Sequence, residues 1–433
     1  MREFTNPHVI DGESVWKRTA AEFNPAPKLK GCQHAEYAIV GAGVAGLSAA
    51  LTLSEAGHDC VVLEAETPGC GAAGKSGGII APDFIKHTPD EIETMFGENL
   101  GQKIVNLVGG AGRYTRQLIE RNHLSCDYSG GFAIPAHNPA LSKILANKAH
   151  QWQRRGFNVR EINAAEASDY FGSEKYISGI EFVDGGQLNP LALCQELARV
   201  VMERKGVVSC HSPVASVSRE NGKWALRTRD AKVLSNKVIL ASNGGNSRLH
   251  PKLHNTTLPL HVYEFATRPL SAEERSKVLS GNCTFTDKQP YLFTARFDRD
   301  GRLVSAFPAN YLVRGFKQRL KEAKRRIGVH YPALQNVDIE YIWKGTAWLN
   351  TSLLPAVYKV EDNMIAIQSC NGRGLANNLA IGAEVGRYMS QQGGDVSLPF
   401  SDPEPIPWYF FAQYAPASLM SWAYMKDRLI ASR

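Results

Sequence analysis

The 433-residue sequence has no long uncharged apolar run, no paired cysteine motif and no strong excess of charge of either sign. Its longest apolar stretch, residues 37–53, is a few residues short of the roughly 20 that span a bilayer. The first 18 residues hold no apolar core of the signal-peptide type. The eight cysteines form no CxxC pair, which argues against a zinc cluster or a disulfide framework. We therefore predict no metal, no membrane span and a cytoplasmic location.

The charge balance also limits the class of partner. The 49 basic and 42 acidic residues leave a formal charge of +7, which predicts no nucleic-acid binding but permits an anionic small substrate. The densest basic run, residues 314–328, carries Phe316, Leu320, Ala323 and Ile327 at helical spacing. We predict an amphipathic helix with a solvated basic face there; an anion- or partner-binding helix is the alternative.

Glycine, in contrast, is abundant, and the first glycine-rich turn lies between a strand pattern and a helix pattern. The apolar run 38–40 leads into Gly41, Gly43 and Gly46 in GxGxxG spacing, and a helical pattern continues through Leu53. Gly41 allows the tight turn, Gly43 lets backbone approach a pyrophosphate, and Gly46 lets the helix pack closely on the strand. The start of the helix adds free N–H groups and a partial positive charge for the phosphates.

A second strand pattern, CVVLEA, completes the unit and ends in Glu64, 18 residues beyond Gly46. A carboxylate at this place can accept hydrogen bonds from the ribose of an adenine dinucleotide. The unit predicts dinucleotide binding and leaves NAD and FAD both open. A tightly packed glycine turn without a ligand is the alternative.

A second glycine-rich stretch, GCGAAGKS at residues 69–76, matches the phosphate-binding P-loop pattern at every position. A P-loop must leave a strand directly and open a helix. Here the preceding strand already ends at Glu64, and the following GGIIAP is poor helix. We therefore predict no ATP hydrolysis, and interpret the glycines as extended backbone along a flat cofactor, which favours a flavin over a nicotinamide.

With these motifs the chain resembles the D-amino-acid-oxidase superfamily of FAD-dependent amine oxidoreductases, most of all the branch that contains gamma-glutamylputrescine oxidase. The similar segments are SVWKRTA, LEAETPGCGAAGKSGG, CDYSGGFAIPAHN, DGGQLNPLALCQEL, VILASNGGNS, YIWKGTAWLNTSLLPAVYKV and IQSCNGRGLANNLAIGAEVGRYM. The sequence departs from the branch at Ala73, Lys75, Ser76 and Arg373. These departures lie near the expected flavin and bear on the substrate and on reactivity with oxygen.

The resemblance implies an α/β plus α+β fold, in which a Rossmann-like FAD-binding domain is interleaved with an antiparallel-sheet substrate domain. We place an N-terminal arm at 1–34, a discontinuous FAD-binding domain at 35–88, 148–250 and 346–395, a substrate domain at 89–147 and 251–345, and a C-terminal arm at 396–433. We expect the arm at the C-terminus to pack on the body of the protein.

The same resemblance implies FAD as the cofactor and a set of residues that bind it. These are Gly41, Gly43, Ala45, Gly46, Glu64, Ala65, Gly71, Ala72, Lys75, Ser76, Gly77, Gly78, Val214, Gly372, Arg373, Gly374 and Leu375. Val214 is expected to contact the adenine side through its backbone. Arg373, with the start of a helix behind it, could stabilise negative charge on the reduced flavin; a surface arginine in a tight turn is the alternative.

Amine oxidation by a flavin needs little acid–base machinery, because the substrate α-carbon passes hydride to N5 and the imine product hydrolyses in water. Candidates for the wall opposite the flavin are His261, Tyr263, Glu264, Trp343, Lys344 and Trp348. We name Glu264, Tyr263 and Lys344 as catalytic: Glu264 to pair with a substrate amine, and Lys344 to promote electron transfer to oxygen. The alternatives are an exposed strand carboxylate and a solvated lysine. We expect Phe84 and Phe132 to be core residues.

The function predicted from the sequence is FAD-dependent oxidation of an amine or amino acid, with a secondary or γ-glutamylated amine favoured. Oxygen or an electron acceptor reoxidises the flavin, and an oxidase is slightly favoured. The alternatives are a flavin dehydrogenase for an imino acid or opine and, from another class, a non-catalytic FAD-binding scaffold protein.

Overall fold

The computed structural model describes residues 9–25, 27–281, 283–390 and 396–431. The first eight residues of the predicted N-terminal arm, residues 391–395 of the predicted FAD-binding domain and the last two of the C-terminal arm lie outside the described residues.

Twelve helices and eighteen strands make up the described part. The helices are α1 (Trp16–Thr19), α2 (Val44–Glu55), α3 (Pro89–Phe96), α4 (Glu98–Asn122), α5 (Pro139–Gln153), α6 (Ala164–Phe171), α7 (Pro190–Glu203), α8 (Ala272–Ser276), α9 (Gly315–His330), α10 (Gly374–Met389), α11 (Tyr409–Ala412) and α12 (Ala415–Ala431). The strands are β1 (Ile10–Asp11), β2 (Gly31–Val40), β3 (Cys60–Leu63), β4 (Ile79–Ile80), β5 (Ser129–Ala136), β6 (Val159–Ile162), β7 (Ser178–Gln187), β8 (Val207–Ser209), β9 (Ser216–Glu220), β10 (Lys223–Arg227), β11 (Ala231–Leu240), β12 (Leu258–Pro269), β13 (Thr284–Thr286), β14 (Thr294–Phe297), β15 (Arg302–Pro308), β16 (Ile339–Leu349), β17 (Ala356–Glu361) and β18 (Met364–Gln368).

One sheet has the strand order β17-β18-β11-β2-β3-β8, and the hairpin strands β10 and β9 extend from β11. The pairs from β18 to β8 are all parallel. Strands of a parallel sheet are covered on both faces and are apolar throughout, and all four residues of β3 are buried. The predicted strand–helix–strand unit is present as β2, α2 and β3, with Glu64 directly after β3. The predicted Rossmann-like fold is confirmed.

The second sheet has the order β1-β16-β12-β15-β14-β13-β5-β7-β4, with β6 paired to β7. Its pairs are antiparallel except β1 with β16 and β13 with β5. The strands β6 and β7 belong to this sheet, although the predicted boundary at 148 assigned them to the FAD-binding domain. The helix α4, which we assigned to the substrate domain, packs instead in the core that contains α2 and α10. The sequence motifs do not specify these long-range partners.

The basic run forms α9, as predicted, but its basic face is not wholly solvated. Arg326 is fully buried and donates hydrogen bonds to the carbonyl oxygens of Tyr291 and Leu292 at 2.9 and 2.6 Å. Asp427 of α12 lies 3.3 Å from the Arg326 guanidinium. This ion pair and the burial of Ala423 hold the C-terminal arm on the body of the protein.

Within the described ranges, no helix combines the length and apolar character needed to cross a membrane. The same residues bring together no group of three or more His, Cys, Asp or Glu side chains that could hold a metal ion.

The crossing of α2 and α10 provides a test of this packing. A Cβ added at Gly382 would lie 2.3 Å from the carbonyl oxygen of Ala45, which is backbone and cannot turn aside. We expect Gly382→Ala to lower the free energy of unfolding by about 1–3 kcal/mol or more, as overpacking does. Denaturant unfolding with FAD bound would measure it.

Gly110→Ala in α4 is the matched control, because no atom lies within 4 Å of the added Cβ. The better helix propensity of alanine should raise stability there by about 0.5–1 kcal/mol. Equal destabilisation of both variants would contradict the close α2–α10 crossing.

Candidate active site

The turn before α2 has the geometry that its glycines predict. Gly41 has φ +105°, and a Cβ there would lie 3.0 Å from the carbonyl oxygen of Ala241. A Cβ at Gly46 would lie 2.1 Å from the carbonyl oxygen of Gly41. Gly43, in contrast, has space in front of it, since the nearest atom to a Cβ would be that of Ala73 at 4.0 Å. Two glycines therefore serve the turn, and the third leaves room for a ligand.

Glu64 lies beside this turn at the end of β3. Its carboxylate accepts hydrogen bonds from the backbone N–H groups of Ala42 at 2.7 Å and Glu66 at 3.0 Å. Its carbonyl oxygen accepts a hydrogen bond from the N–H of Ser212, two residues before Val214. The structure thus brings the predicted ribose-binding carboxylate, the glycine turn and the Val214 segment together. Ala65, next to Glu64, is exposed, and Ala45 is buried in α2.

The GCGAAGKS stretch is a series of turns that ends in β4, and no helix follows it. The P-loop interpretation is excluded on this geometry, as predicted, because no helix aims the lysine and the serine hydroxyl. The expected extended backbone is wrong for residues 69–76, however. A Cβ at Gly69 would lie 2.8 Å from that of Cys194, and one at Gly74 would lie 2.3 Å from the carbonyl oxygen of Gly69. These two glycines serve packing of the turns, while a Cβ at Gly71 would have none of the described atoms within 4 Å apart from its chain neighbours.

The backbone carbonyl oxygens of three consecutive residues, Lys75, Ser76 and Gly77, each accept a hydrogen bond from a side chain of a distant segment. The indole N–H of Trp343 donates to Lys75 at 3.0 Å, and that of Trp16 donates to Ser76 at 2.9 Å. These two indole rings meet edge to face, with centroids 5.9 Å apart.

The third donor is Arg296, whose guanidinium bonds the carbonyl oxygens of Gly77 at 2.7 Å and Leu188 at 2.8 Å. It also lies over the Trp16 ring, 4.6 Å from the centroid. Gly78 has φ +67°, and a Cβ there would lie 2.1 Å from the carbonyl oxygen of Leu188. We call residues 75–78 the clamped loop.

Glu264 lies behind the clamped loop. It is only 5% exposed, so the alternative of an exposed strand carboxylate is wrong. One carboxyl oxygen, Oε2, is buried without a hydrogen-bond partner among the described residues, 3.9 Å from where a Cβ of Gly77 would stand. Burial raises the pKa of Glu264 well above its ordinary value, which the charge of Arg296 offsets only in part.

The other two predicted catalytic residues face away from Glu264. Tyr263 pairs with Lys344 across β12 and β16, whereas Glu264 pairs with Trp343. Neighbouring strand residues point to opposite faces of a sheet. Tyr263 contacts Phe307 on that other face, and Lys344 is exposed. Lys344 thus has the solvated position given above as its alternative, and the three residues do not form one cluster.

The remaining candidates for the wall have other contacts. The indole of Trp348 packs on the backbone of Gly244, where a Cβ would lie 2.1 Å from the ring. His261 hydrogen-bonds the hydroxyl of Thr346 at 2.9 Å through Nδ1. Burial, followed by the nearby Lys344 charge, lowers the pKa of His261.

Arg373, at the start of α10, is not a surface arginine. Its side chain is 11% exposed, and Nη1 lies 2.6 Å from Asp83 Oδ2. Lys148 binds the same carboxylate, with Nζ 2.6 Å from Oδ1, and the side chains of Lys148 and Asp83 are 6% and 0% exposed. Burial alone would raise the pKa of Asp83, but the charges of Lys148, Arg373 and Lys288 together hold it below its ordinary value.

Lys288 adds a third cation to this group. Its Nζ donates to the carbonyl oxygen of Ile85 at 3.0 Å. Burial, and then the positive charges of Arg373 and Lys148, lower the pKa of Lys288 to about 7. Lys148 and Arg373 therefore share the carboxylate of Asp83, and the charge of Lys288 acts on the same group. We call Asp83, Lys148, Lys288 and Arg373 the cation cluster.

Aromatic residues pack against one side of the cation cluster. Phe132 lies under the Arg373 guanidinium, 5.5 Å from the ring centroid, and Phe84 stacks on Trp152 at 5.8 Å. Both phenylalanines are buried, as predicted for core residues. Gly372 has φ +77° and faces Ile85, while Leu375 is buried in the main core. Gly374 is the first residue of α10.

Sequence reasoning missed several of these residues. Asp83, Lys148 and Lys288 come from three distant segments, and no motif links them. No sequence pattern pointed to Arg296 either. Trp16 was quoted only as part of the SVWKRTA resemblance, without a role.

The parallel sheet with its glycine turn and Glu64, joined to a mostly antiparallel sheet, defines a two-domain flavoprotein oxidoreductase. Residues 36–387 match the family model described as FAD dependent oxidoreductase, DAO. The chain belongs to this family, and its cofactor is FAD.

The sequence similarity to two relatives extends over most of the chain. The probable oxidoreductase OrdL of Haemophilus influenzae is 27% identical over 81% of this chain and 81% of its own length. The gamma-glutamylputrescine oxidoreductase of Escherichia coli is 27% identical over 84% of this chain and 85% of its own.

Solved structures agree on the fold. Glycine oxidase from Geobacillus kaustophilus aligns with a TM-score of 0.71 at 16% identity, covering 89% of this chain and 98% of that one. L-Proline dehydrogenase from P. horikoshii aligns with a TM-score of 0.71 at 16% identity, covering 84% and 95%.

The residues present fit FAD. The first turn of α2 follows Gly43 without a side-chain cap, which leaves its N–H groups available to a pyrophosphate. Glu64 stands beside that turn for the ribose. Beyond it, the clamped loop and the start of α10 are the segments that would hold the ring system.

The clamped loop gives a direct test. Trp16→Phe and Trp343→Phe keep an aromatic ring but remove the indole donor, so each leaves a loop carbonyl oxygen unpaired. That costs about 1–3 kcal/mol, and we expect the dissociation constant of FAD to rise roughly tenfold or more in each variant. Titration of the apoprotein with FAD, followed by flavin fluorescence, measures this.

Trp224→Phe is the control, because the Trp224 indole nitrogen is buried without a hydrogen-bond partner among the described residues. This variant loses no donor contact and should bind FAD as the unmodified protein does. Unchanged FAD affinity in all three variants would show that the clamp does not shape the cofactor site.

Proposed function

We propose that the protein oxidises an amine that also carries a carboxylate, with a secondary or γ-glutamylated amine favoured, and releases an imine that hydrolyses in water. The observation that carries this proposal is the cation cluster. Lys148 and Arg373 contact the one carboxylate of Asp83, and Lys288 lies close enough for the charges to act on it, so we assign the cluster a net positive charge for an anionic group of the substrate. The names of relatives support this class, since they include a gamma-glutamylputrescine oxidoreductase and glycine oxidases.

FAD, when bound, supplies the two-electron oxidant. The protein's own part is to position the substrate and to exclude water. We assign Lys288 and Arg373 to orient the substrate carboxylate, and Asp83 to hold Arg373 and Lys148 in place. Phe84 and Phe132 form an apolar base that strengthens these charge contacts by keeping water away.

Glu264 has a different part in this proposal. Burial raises the pKa of Glu264 and so favours the uncharged form of its carboxyl group. A neutral acid behind the clamped loop can donate a hydrogen bond without adding negative charge. We therefore assign Glu264 to support the loop, in place of the ion pair with a substrate amine expected from the sequence.

For reoxidation we propose oxygen, with an electron-transfer partner as the alternative. The related folds include both glycine oxidases and an L-proline dehydrogenase. Lys344 is exposed on the face opposite Trp343 and the clamped loop, and we do not assign it to this step.

Anaerobic mixing with a panel of amines tests the reaction. The visible flavin band should bleach with secondary or γ-glutamylated amines that carry a carboxylate, and far more slowly with the same amines lacking that group. Hydrogen peroxide on re-aeration would identify an oxidase. Equal bleaching with and without the carboxylate would rule out the proposed substrate class.

The pH dependence of anion binding tests the role of Lys288. Because its pKa is lowered to about 7, Lys288 is charged below that pH and neutral above it. The inhibition constant of an unreactive dicarboxylate such as glutarate should be constant below pH 7. Above pH 7 it should rise, by up to about tenfold per pH unit.

Lys288→Met should bind glutarate about tenfold more weakly than the unmodified protein at pH 6. Its inhibition constant should not rise further above pH 7. Lys86→Met is the control, since Lys86 is an exposed lysine of the same loop as Phe84. If the inhibition constant of glutarate still rises above pH 7 in Lys288→Met, a group other than Lys288 causes the pH dependence.

A further inference from the structure

The segment after residue 407 exposes an unusual amount of apolar side chain. Eight large apolar residues there are between 48% and 83% exposed. They are Trp408, Phe410, Phe411, Tyr414, Leu419, Trp422, Met425 and Leu429. We call these eight residues the aromatic surface. Large apolar side chains exposed this densely along one segment are typical of an interaction site on a folded protein.

The helix α12 is already fixed to the protein by its opposite side. Ala423 is buried, and Tyr424 packs edge to face on Tyr291 with ring centroids 5.4 Å apart. Asp427 lies 2.6 Å from Arg325. The outer residues Leu419, Trp422, Met425 and Leu429 recur every three or four positions, as one helical face does. A helix that is apolar on both sides needs cover on both.

The exposed charges that α9 and α12 themselves carry are of one sign, while Asp11 and Asp338 from other segments pair with Arg319 and Lys324 of α9. In α9 and α12 the acidic residues Glu322 and Asp427 face Arg325 and are at most 12% exposed. The exposed charged side chains of these two helices are all basic: Lys317, Lys321, Lys426 and Arg428. The exposed Arg314 precedes α9. Two exposed acidic residues, Asp402 and Glu404, come earlier in the chain than the aromatic surface.

Basic and aromatic groups also touch one another here. The Lys426 ammonium lies 3.7 Å from the Trp422 ring centroid, and Arg314 lies over Tyr311 at 5.5 Å. Tyr311 is joined to α12 by a hydrogen bond from its N–H to the Ser421 hydroxyl at 3.0 Å. Tyr311 and Leu312 are themselves 38% and 48% exposed. The apolar face therefore continues from α12 towards the start of α9.

We propose that the aromatic surface docks on an anionic lipid bilayer. Trp, Tyr and Phe side chains favour the boundary between headgroups and acyl chains, and flanking Lys and Arg residues attract anionic headgroups. The helix lies in the plane of the membrane, which agrees with the absence of a membrane-spanning helix in the described residues.

A second copy of the chain fits this surface less well. In a two-fold contact the same patch meets itself. The basic residues would then face one another, and α9 and α12 offer no exposed acidic side chain to pair with them.

Vesicle co-sedimentation of the FAD-loaded enzyme tests the proposal. Vesicles of phosphatidylcholine with phosphatidylglycerol should carry the enzyme into the pellet, and the emission of exposed tryptophans such as Trp422 should shift to shorter wavelength. Binding should fall about tenfold or more with phosphatidylcholine alone or at high salt.

Two pairs of substitutions separate the apolar and the charged contributions. Trp422→Ser with Leu429→Ser should lower binding at least tenfold on all vesicles. Lys321→Glu with Lys426→Glu should lower it on anionic vesicles only. Ile144→Ser is the control, because Ile144 is 61% exposed but lies on α5. Unchanged FAD content and circular dichroism exclude misfolding.

Two outcomes would overturn the proposal. One is an enzyme that stays in the supernatant with anionic vesicles. The other is a dimer in light scattering that Trp422→Ser with Leu429→Ser makes monomeric while vesicles never bind, which would show that a second copy covers the surface. Neither outcome depends on the amine substrate, so the test is independent of the proposed reaction.

Discussion

The clamped loop depends on three buried donors that bind the carbonyl oxygens of Lys75, Ser76 and Gly77. The donors come from the N-terminal arm and from β16 and β14 of the second sheet. A buried carbonyl without a partner costs about 1–3 kcal/mol, so the loop can follow this course only when the arm and both strands are in place. The clamped loop is therefore a product of the whole fold. The two sheets cannot be understood as independent units that meet at a ligand.

The two sides of the clamped loop differ in charge, and burial explains the difference. Behind the loop, burial raises the pKa of Glu264, because charging a buried acid is costly, and the charge of Arg296 opposes this. At the cation cluster, Asp83 stays ionised because Lys148 and Arg373 bind it directly. Burial, and then the charges of Arg373 and Lys148, lower the pKa of the third basic residue, Lys288, because one carboxylate does not balance all of these positive charges. Under the proposed function, an anionic substrate group would relieve this repulsion, and charge would then select the substrate.

The sequence predicts local features of this protein better than distant contacts. The glycine turn, α2, β3 and Glu64 could be predicted because their chemistry requires fixed spacing within one segment. The failure of the P-loop pattern also followed from its neighbours. The burial of Glu264 could not be predicted, because the strand alternation does not say which face is covered. Nor could the Asp83–Lys148 pair, whose partners are 65 residues apart.

The C-terminal arm is linked to the cation cluster through a short series of contacts. Asp427 pairs with Arg326, which binds the carbonyl oxygens of Tyr291 and Leu292, a few residues beyond Lys288. Proximity alone does not establish coupling, which requires an element with two arrangements that both sites bias. Arg326 is fully buried and held by several partners, as expected of a rigid support. On this geometry, docking at the aromatic surface would fix the enzyme in place and leave the charge of the cation cluster unchanged.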